Sequence, residues 1–543
     1  MLKVQNHKES YPRPELMKQL ADHPGAEIVV ITQDGVSSYS GARIHDETLE
    51  VANYLQNQGL HAGRRVGIRA SNSYEWLILD FALITLGCTS VCIPAVSAEL
   101  NPLSAETLVR RYDLDFLFQE PGFENGDCDA VQDLSSLFSL ARNGTLLSVS
   151  GRPAREPVSS DIFTVAFSSG TTGQLKRLPI SWSSLQVGIE AVSDAFEIGE
   201  HDRIFDILPL SIFQQRYLAY CALYRGAKII LSTQDLFFES LKVGNPTIIL
   251  GPPAFYEVAE QRFARWPSRT HRALTQISDM LGLAPAPLRM FLRKRLFRSL
   301  HEIYGNAVRV MLVGSAPINL STLQFCERAG FPLYQIYGMT ECGWIAWNRP
   351  AANKLGSVGK PAFPGAVSIG PDGEVLVRNP NHLCHSYEDA EADENTAVFV
   401  DSRTISTGDI GKFDSDGFLF LSGRKKNVII TAGGQKISPE NIEDKIKAIG
   451  RIDNVVVFHD EKLRAISAAI WSSDLGREAQ GRIAREIKAL NRRDLSTTPI
   501  MGLAFSDVPL TAETGLLTRN LKVDRAAVQN RLRDVIRRIG ELT

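Results

Sequence analysis

Over roughly the first 420 residues, short β-branched or aliphatic runs closed by Gly or Pro alternate with stretches of helical periodicity. The pattern predicts strands at Val66–Ala70, Ser90–Pro94, Thr164–Phe167, Lys228–Leu231, Thr247–Leu250 and Val308–Val313, and a helix over Tyr74–Leu86. Strands that alternate with helices require crossover connections, so the expectation is an α/β architecture of largely parallel or mixed sheets covered by helices. Several of these strands run directly into small, polar, Gly-rich loops, where α/β proteins bind ligands.

The chain has 543 residues, 44% of them hydrophobic and 22% charged, with 59 basic against 61 acidic side chains. That balance excludes a disordered chain and argues against a dedicated nucleic-acid binder. A single core stops growing near ~250–300 residues, so more than one domain is expected. The fold changes character near Gly411, where DSDGFLFLSG predicts a hairpin turn at Asp416-Gly417. From Arg424 onward there are 22 basic and 15 acidic residues, a net of +7 that leaves −9 for everything before it. The expected division is therefore 1–423 and 424–543, with the smaller part facing something anionic or merely uneven in charge. Seven scattered cysteines form no CxxC pair, which fits a reducing cytoplasm. The polar start predicts no signal peptide. The most apolar stretch, Leu77–Val96, is interrupted by Asp80 and reads as core rather than a membrane span.

Thr164–Trp182, TVAFSSGTTGQLKRLPISW, carries the most chemistry. The reading is a strand that ends at Phe167 and releases Ser168, Ser169, Gly170, Thr171, Thr172 and Gly173, with Lys176 following. Glycines let backbone N–H groups converge on an anion, hydroxyls add donors, and the lysine supplies charge. The spacing is not that of a Walker A loop.

SSGTTGQLK resembles the phosphate loop of the adenylate-forming superfamily, which takes in acyl-CoA synthetases, nonribosomal-peptide adenylation domains and luciferases. Further blocks follow in the family's order: Gly314-Ser315-Ala316-Pro317, Tyr337-Gly338-Met339-Thr340-Glu341, Gly356-Ser357-Val358-Gly359-Lys360-Pro361, Ser406-Thr407-Gly408-Asp409, Gly423-Arg424-Lys425-Lys426 and LLTRNLKVDR with Lys522. The resemblance implies a large nucleotide- and acyl-binding domain with a small, mobile α+β domain after it. It implies ATP, Mg2+ and coenzyme A, or a carrier protein's phosphopantetheine, as cofactors and co-substrates. Residue by residue, it implies that Glu341 is the magnesium carboxylate and Thr340 the hydroxyl at the α-phosphate. Gly314, Ser315, Ala316, Tyr337 and Gly338 would lie around adenine, and Asp409 would accept the ribose hydroxyls beside Arg424. Lys522 would bridge substrate carboxylate and α-phosphate, Lys176 would serve the phosphates, and Lys426 would be the hinge. Rotation there would bring Gly433 and Gly434 to the thiol.

Three departures from the family pattern stand out. Gln174-Leu175-Lys176-Arg177 replaces x-Pro-Lys-Gly. Ile212 replaces a histidine in LPLSIFQQRY, which keeps Arg216 and borders the acyl pocket in relatives. Leu521-Lys522 replaces Gly-Lys, while the preceding Gly515-Leu516-Leu517-Thr518 resembles long-chain acyl-CoA synthetases. Separately, Leu288, Phe291, Leu292, Leu296 and Ile303 fall at helical spacing among five basic residues over 288–304. Such a helix ordinarily packs on a sheet; the alternative is peripheral contact with an anionic membrane.

The reading is an acid–thiol ligase, AMP-forming, most readily an acyl-CoA synthetase for a medium- or long-chain fatty acid. Loading of an acyl carrier protein, an aryl-acid–CoA ligase and a degenerate nucleotide-binding protein remain the alternatives. Its partners would be a small carboxylic acid and no nucleic acid.

Overall fold

A computed structural model of the chain describes residues 23, 25–95, 103–123, 128–144, 161–169, 175–314, 316–430, 436–447, 449, 452–460, 462–472, 474–495, 498–511, 513–517 and 523–542. At its centre lies the expected helix Tyr74–Leu86, apolar on nearly every side and buried along most of its length. Ser73 caps its start by accepting from the Trp76 N–H, and Gly87 ends it in the left-handed region. A helix without a polar face must be covered all round, and two sheets do this.

In spatial order, the nine-stranded sheet runs Lys360–Pro361, Gly343–Trp347, Leu333–Met339, Val310–Val313, Ile248–Gly251, Arg203–Asp206, Lys228–Leu231, Glu27–Thr32 and Gly35–Ser40. Its central strands are parallel and its edges antiparallel. The six-stranded sheet runs Val131–Asp133, Phe116–Gln119, Arg65–Arg69, Thr89–Cys92, Ile162–Ser169 and Leu175–Ser181, parallel except for the last strand. One hydrophobic core joins the facing sides of both sheets with the helices Tyr74–Leu86, Trp182–Ala195 and Phe213–Tyr224. A five-stranded antiparallel sheet, Val367–Ile369 to Leu419–Arg424, follows. Among the described residues, the clusters of the C-terminal part draw on positions after 424 alone. They surround a mixed sheet of Asn454–Asp460, Ala465–Trp471, Ile500–Phe505 and Arg537–Arg538. The architecture is α/β, as expected.

Inside the central core, Asp80 and Arg216 are both fully buried and 3.4 Å apart. Tyr220 donates to the other Asp80 oxygen at 2.5 Å, and Ser90 to the first at 2.9 Å. Arg216 also donates to the Thr164 hydroxyl at 2.9 Å. This network ties two helices to the six-stranded sheet, and it would be costly to break from one side. Arg216 is thus a structural cation. No helix among the described residues is long and apolar enough to cross a membrane. All seven cysteines are free thiols.

Two expectations need correction. The strand expected to end at Phe167 continues to Ser169 and pairs antiparallel with Leu175–Ser181, placing Ser168 opposite Lys176. Lys176 therefore stands on a strand. The helix expected over 288–304 is two, Ala286–Leu296 and Arg298–His301, broken at Phe297. Its apolar stripe is divided: Leu296 and Ile303 join the core, while Leu288 and Phe291 face solvent.

At the end of Arg203–Asp206, both Asp206 carboxyl oxygens are buried without a hydrogen-bond partner. Burial pushes this carboxyl up to about 8. An unfolded aspartate ionises near ~3.9, so between these values the folded chain holds a proton that the unfolded chain has lost. The stabilisation is complete below the unfolded pKa and is lost as pH rises through about 8. Asp206→Asn, which removes the ionisation, should gain stability over the native chain by up to ~1.4 kcal/mol per pH unit across this window. Urea denaturation at several pH values would measure this, and parallel stability profiles would contradict it.

Candidate active site

The Leu333–Met339 strand turns through Thr340-Glu341-Cys342 into Gly343–Trp347. The register shifts between Tyr337 and Gly338, and Gly343 has φ 76°. A Cβ on Gly338 would lie 2.6 Å from the Gly343 carbonyl oxygen, so this close approach requires glycine. The preceding parallel strand ends at Val313, opposite Gln335, and a Cβ on Gly314 would lie 2.8 Å from Cγ1 of Ile336. Gly314 and Tyr337 thus meet at the carboxyl ends of parallel strands.

Tyr337 and Glu341 are both buried. The Tyr337 hydroxyl donates to Oδ2 of Asp409 at 2.6 Å, while Nε of Arg424 lies 2.7 Å from Oδ1. Asp409 and Arg424 stand opposite one another on the Thr404–Phe413 and Leu419–Arg424 strands. Burial, then the charge of Asp409, pushes the Tyr337 hydroxyl well above its ordinary range, keeping it a donor.

Four residues on, Oε1 of Glu341 accepts from the Tyr387 hydroxyl at 2.7 Å. Burial, then the Glu341 charge, holds that phenol protonated as well. The Lys176 ammonium sits 4.5 Å from the centre of the same Tyr387 ring and 2.8 Å from Glu394. One tyrosine therefore spans the ammonium and the carboxylate. The Thr340 hydroxyl accepts from Gln214 at 3.1 Å.

Lys426 follows Arg424 in a short helical turn, Lys425–Asn427. Burial, then repulsion from Arg424, lowers the Lys426 pKa, while the charges of Asp409 and Asp524 act against this. Its neighbour Lys425 is anchored to Asp372 at 2.6 Å and Glu374 at 2.8 Å. Asp524 lies two positions beyond Lys522 in the chain, and Leu517 and Val523 form an antiparallel bridge. Arg525 is committed elsewhere, to Glu440 and Glu443.

Gly170, Thr171, Thr172, Gly173, Ser315, Gly433, Gly434 and Lys522 lie outside the described residues, and for Ser168 and Ser169 the backbone alone is described. The structure brings Lys176 and Glu341 together through Tyr387, with Thr340 next to Glu341 in the chain, and Tyr337, Asp409 and Arg424 into a second group.

Tyr387, Glu394 and Gln214 were not among the expected residues. The first two belong to HSYEDAEADEN, whose acidic side chains gave the only signal. This segment straps two strands of the six-stranded sheet: Glu388 accepts two 3.0 Å bonds from Arg65, and Asp389 accepts from Nε of Arg177 at 3.2 Å. The Arg177 departure is thereby explained, because its charge is taken up by the strap.

Among the described residues, no group of three or more His, Cys, Asp or Glu side chains could hold a metal. A single carboxylate such as Glu341 fits magnesium nonetheless, because this ion keeps most of its waters and takes its remaining oxygens from phosphates.

The family model for AMP-binding enzymes matches residues 16–384. A long-chain-fatty-acid–CoA ligase of Mycobacterium bovis is 28% identical over 530 residues, covering 87% of this chain and 87% of that protein. A 2-succinylbenzoate–CoA ligase of Oceanobacillus iheyensis is 26% identical over 455 residues, covering 82% and 85%. Among solved structures, o-succinylbenzoate coenzyme A synthetase from Bacillus subtilis, in complex with ATP and magnesium, shares the fold with a TM-score of 0.71. It is 21% identical and covers 96% of this chain and 99% of that one. ATP-bound MatB from Rhodopseudomonas palustris gives a TM-score of 0.73 at 19% identity, with 96% and 99% covered. With well over half its length inside one family model, the chain belongs to the AMP-binding enzyme family.

Proposed function

We propose that the protein activates a carboxylic acid with ATP and passes the acyl group to the thiol of coenzyme A. In the first step a carboxylate oxygen attacks the α-phosphorus and the bond to pyrophosphate breaks. In the second the thiol attacks the acyl carbonyl, and AMP leaves. The observation that carries this reading is the Lys176–Tyr387–Glu341 arrangement. It sets a cation for phosphate oxygens beside a buried carboxylate suited to magnesium. When bound, magnesium would neutralise phosphate charge, with Glu341 as its protein ligand. Ser168, Ser169, Gly170, Thr171, Thr172 and Gly173 would donate to the phosphates, and Thr340 to the α-phosphate. Asp409 would accept the ribose hydroxyls, with Tyr337, Gly314, Ser315, Ala316 and Gly338 beside adenine. The first step brings a carboxylate onto a polyanion, so alignment and charge neutralisation do most of its work.

A fatty acid of medium or long chain is the favoured substrate, supported by Gly515-Leu516-Leu517-Thr518 and by the mycobacterial relative. An aryl acid is the second reading, favoured by the succinylbenzoate–CoA ligase relative. A reducing cytoplasm suits seven free thiols. Supplying ATP and coenzyme A with a panel of fatty and aryl acids, and identifying thioesters by mass spectrometry, separates the two readings. Fatty acyl-CoA is expected. Aryl-CoA alone would overturn the substrate class, and acylation of a carrier protein but not coenzyme A would overturn the acceptor.

Domains 1–423 and 424–543 would rotate about Lys426 between the steps, exchanging Lys522 for Gly433 and Gly434. Separate core clusters on either side of 424 support this division. Lys522→Ala should slow acyl-adenylate formation by about 10²–10³, or roughly 3–4 kcal/mol, because one preorganised cation is lost. The same variant given preformed acyl-adenylate should make thioester at nearly the native rate. Equal loss in both assays would remove Lys522 from the first step.

Lys426→Pro fixes φ near about −65° and removes a backbone N–H. Adenylation should continue while thioester formation falls, as separate single-turnover assays would reveal. Loss of both together would place the hinge elsewhere.

A further inference from the structure

Six of the sixteen large apolar side chains exposed among the described residues fall between positions 277 and 291. Leu283 is 96% exposed, Met280 66% and Phe291 62%, with Ile277, Leu288 and Met290 around them. They crown a hairpin formed by the helix Ser268–Met280, the turn Leu281–Leu283 and the helix Ala286–Leu296. The hairpin is firmly seated below its tip. Ser278 donates to the Arg328 carbonyl at 2.6 Å, and the buried Arg293 reaches the carbonyls of Glu327 and Ser278 at 3.0 Å each. The apolar tip is thus held outward on a braced support.

The same hairpin is strongly basic, with most of its arginines toward the base. Residues 261–300 contain nine Lys and Arg and one acidic residue, Asp279, in a chain whose overall charge is −2. Asp279 is itself paired with Arg328 at 3.2 Å. Arg265, Arg269, Arg272 and Arg295 are exposed, and the exposed Arg298 is paired with Glu302 at 3.0 Å. A cluster of exposed aliphatic and aromatic side chains is unfavourable in water unless something covers it.

We propose that this hairpin tip docks on a lipid bilayer that carries anionic headgroups. The arginines would meet the headgroups while Leu283, Met280 and Phe291 enter the acyl boundary, the combination that favours interfacial insertion. Two other occupants fit less well. A nucleic acid would use the arginines but leave the apolar tip wet. A second copy, apposed about a two-fold axis, would set two strongly cationic segments against each other.

Flotation of the intact protein with vesicles tests this. Vesicles of three parts phosphatidylcholine to one part phosphatidylglycerol should carry it, and phosphatidylcholine alone should not. Binding should fall at high salt. The double variant Leu283→Asn with Phe291→Asn should bind at least about tenfold more weakly. Arg269→Glu with Arg272→Glu should lose about fivefold or more per charge. All these side chains are exposed, and unchanged near-UV circular dichroism would verify folding. The proposal falls if phosphatidylglycerol vesicles do not bind. It also falls if the apolar variant binds as well as the native chain, which would leave a purely electrostatic surface that duplex DNA should then occupy equally. A dimer in lipid-free sedimentation that dissociates in the apolar variant would assign the patch to a second copy instead.

Discussion

The candidate site is organised around Asp409, a buried carboxylate with one oxygen bound by a tyrosine and the other by an arginine. Tyr337 comes from the end of the nine-stranded sheet, Asp409 from the five-stranded sheet, and Arg424 from the last residue of that sheet before the chain changes charge. A carboxylate taken from water needs such partners. Satisfying Asp409 therefore fixes how two sheets meet and where the C-terminal part begins. Lys425 strengthens the same junction through Asp372 and Glu374, leaving Lys426 beyond the anchored residue.

The Lys176 side follows the same logic with the opposite charge. Lys176 and Arg177 are adjacent cations on one strand, and an acidic strap balances both. The strap also contributes Tyr387, whose protonated hydroxyl steadies Glu341. Cations that are paired before a polyphosphate arrives are held in place, and the arriving anion competes with carboxylates rather than with water alone.

Much of this was legible in the chain. Lys228–Leu231 and Tyr74–Leu86 form as expected because a fully apolar run leaves few alternatives to burial. Ordered motifs located Lys176, Tyr337, Thr340, Glu341, Asp409 and Arg424. What could not be read depends on tertiary pairing. Tyr387 and Gln214 matter through partners 46 and 126 positions away, and local pattern carries no trace of either contact. The strand through Ser168 and Ser169 is not legible because small polar residues suggest a loop, whereas pairing with Leu175–Ser181 extends them. Over 288–304 the helical spacing holds, but the helix ends at Phe297, and Leu288 and Phe291 face solvent because nothing among the described residues lies over them.

The central claim, that these groups join a carboxylate to the α-phosphorus of ATP, is tested most directly by exchange of labelled pyrophosphate into ATP without coenzyme A. Exchange that requires both the acid and magnesium is the expected result, because the first step is then reversible at the enzyme. Thioester formation without any acid-dependent exchange, or exchange indifferent to the acid supplied, would contradict the account.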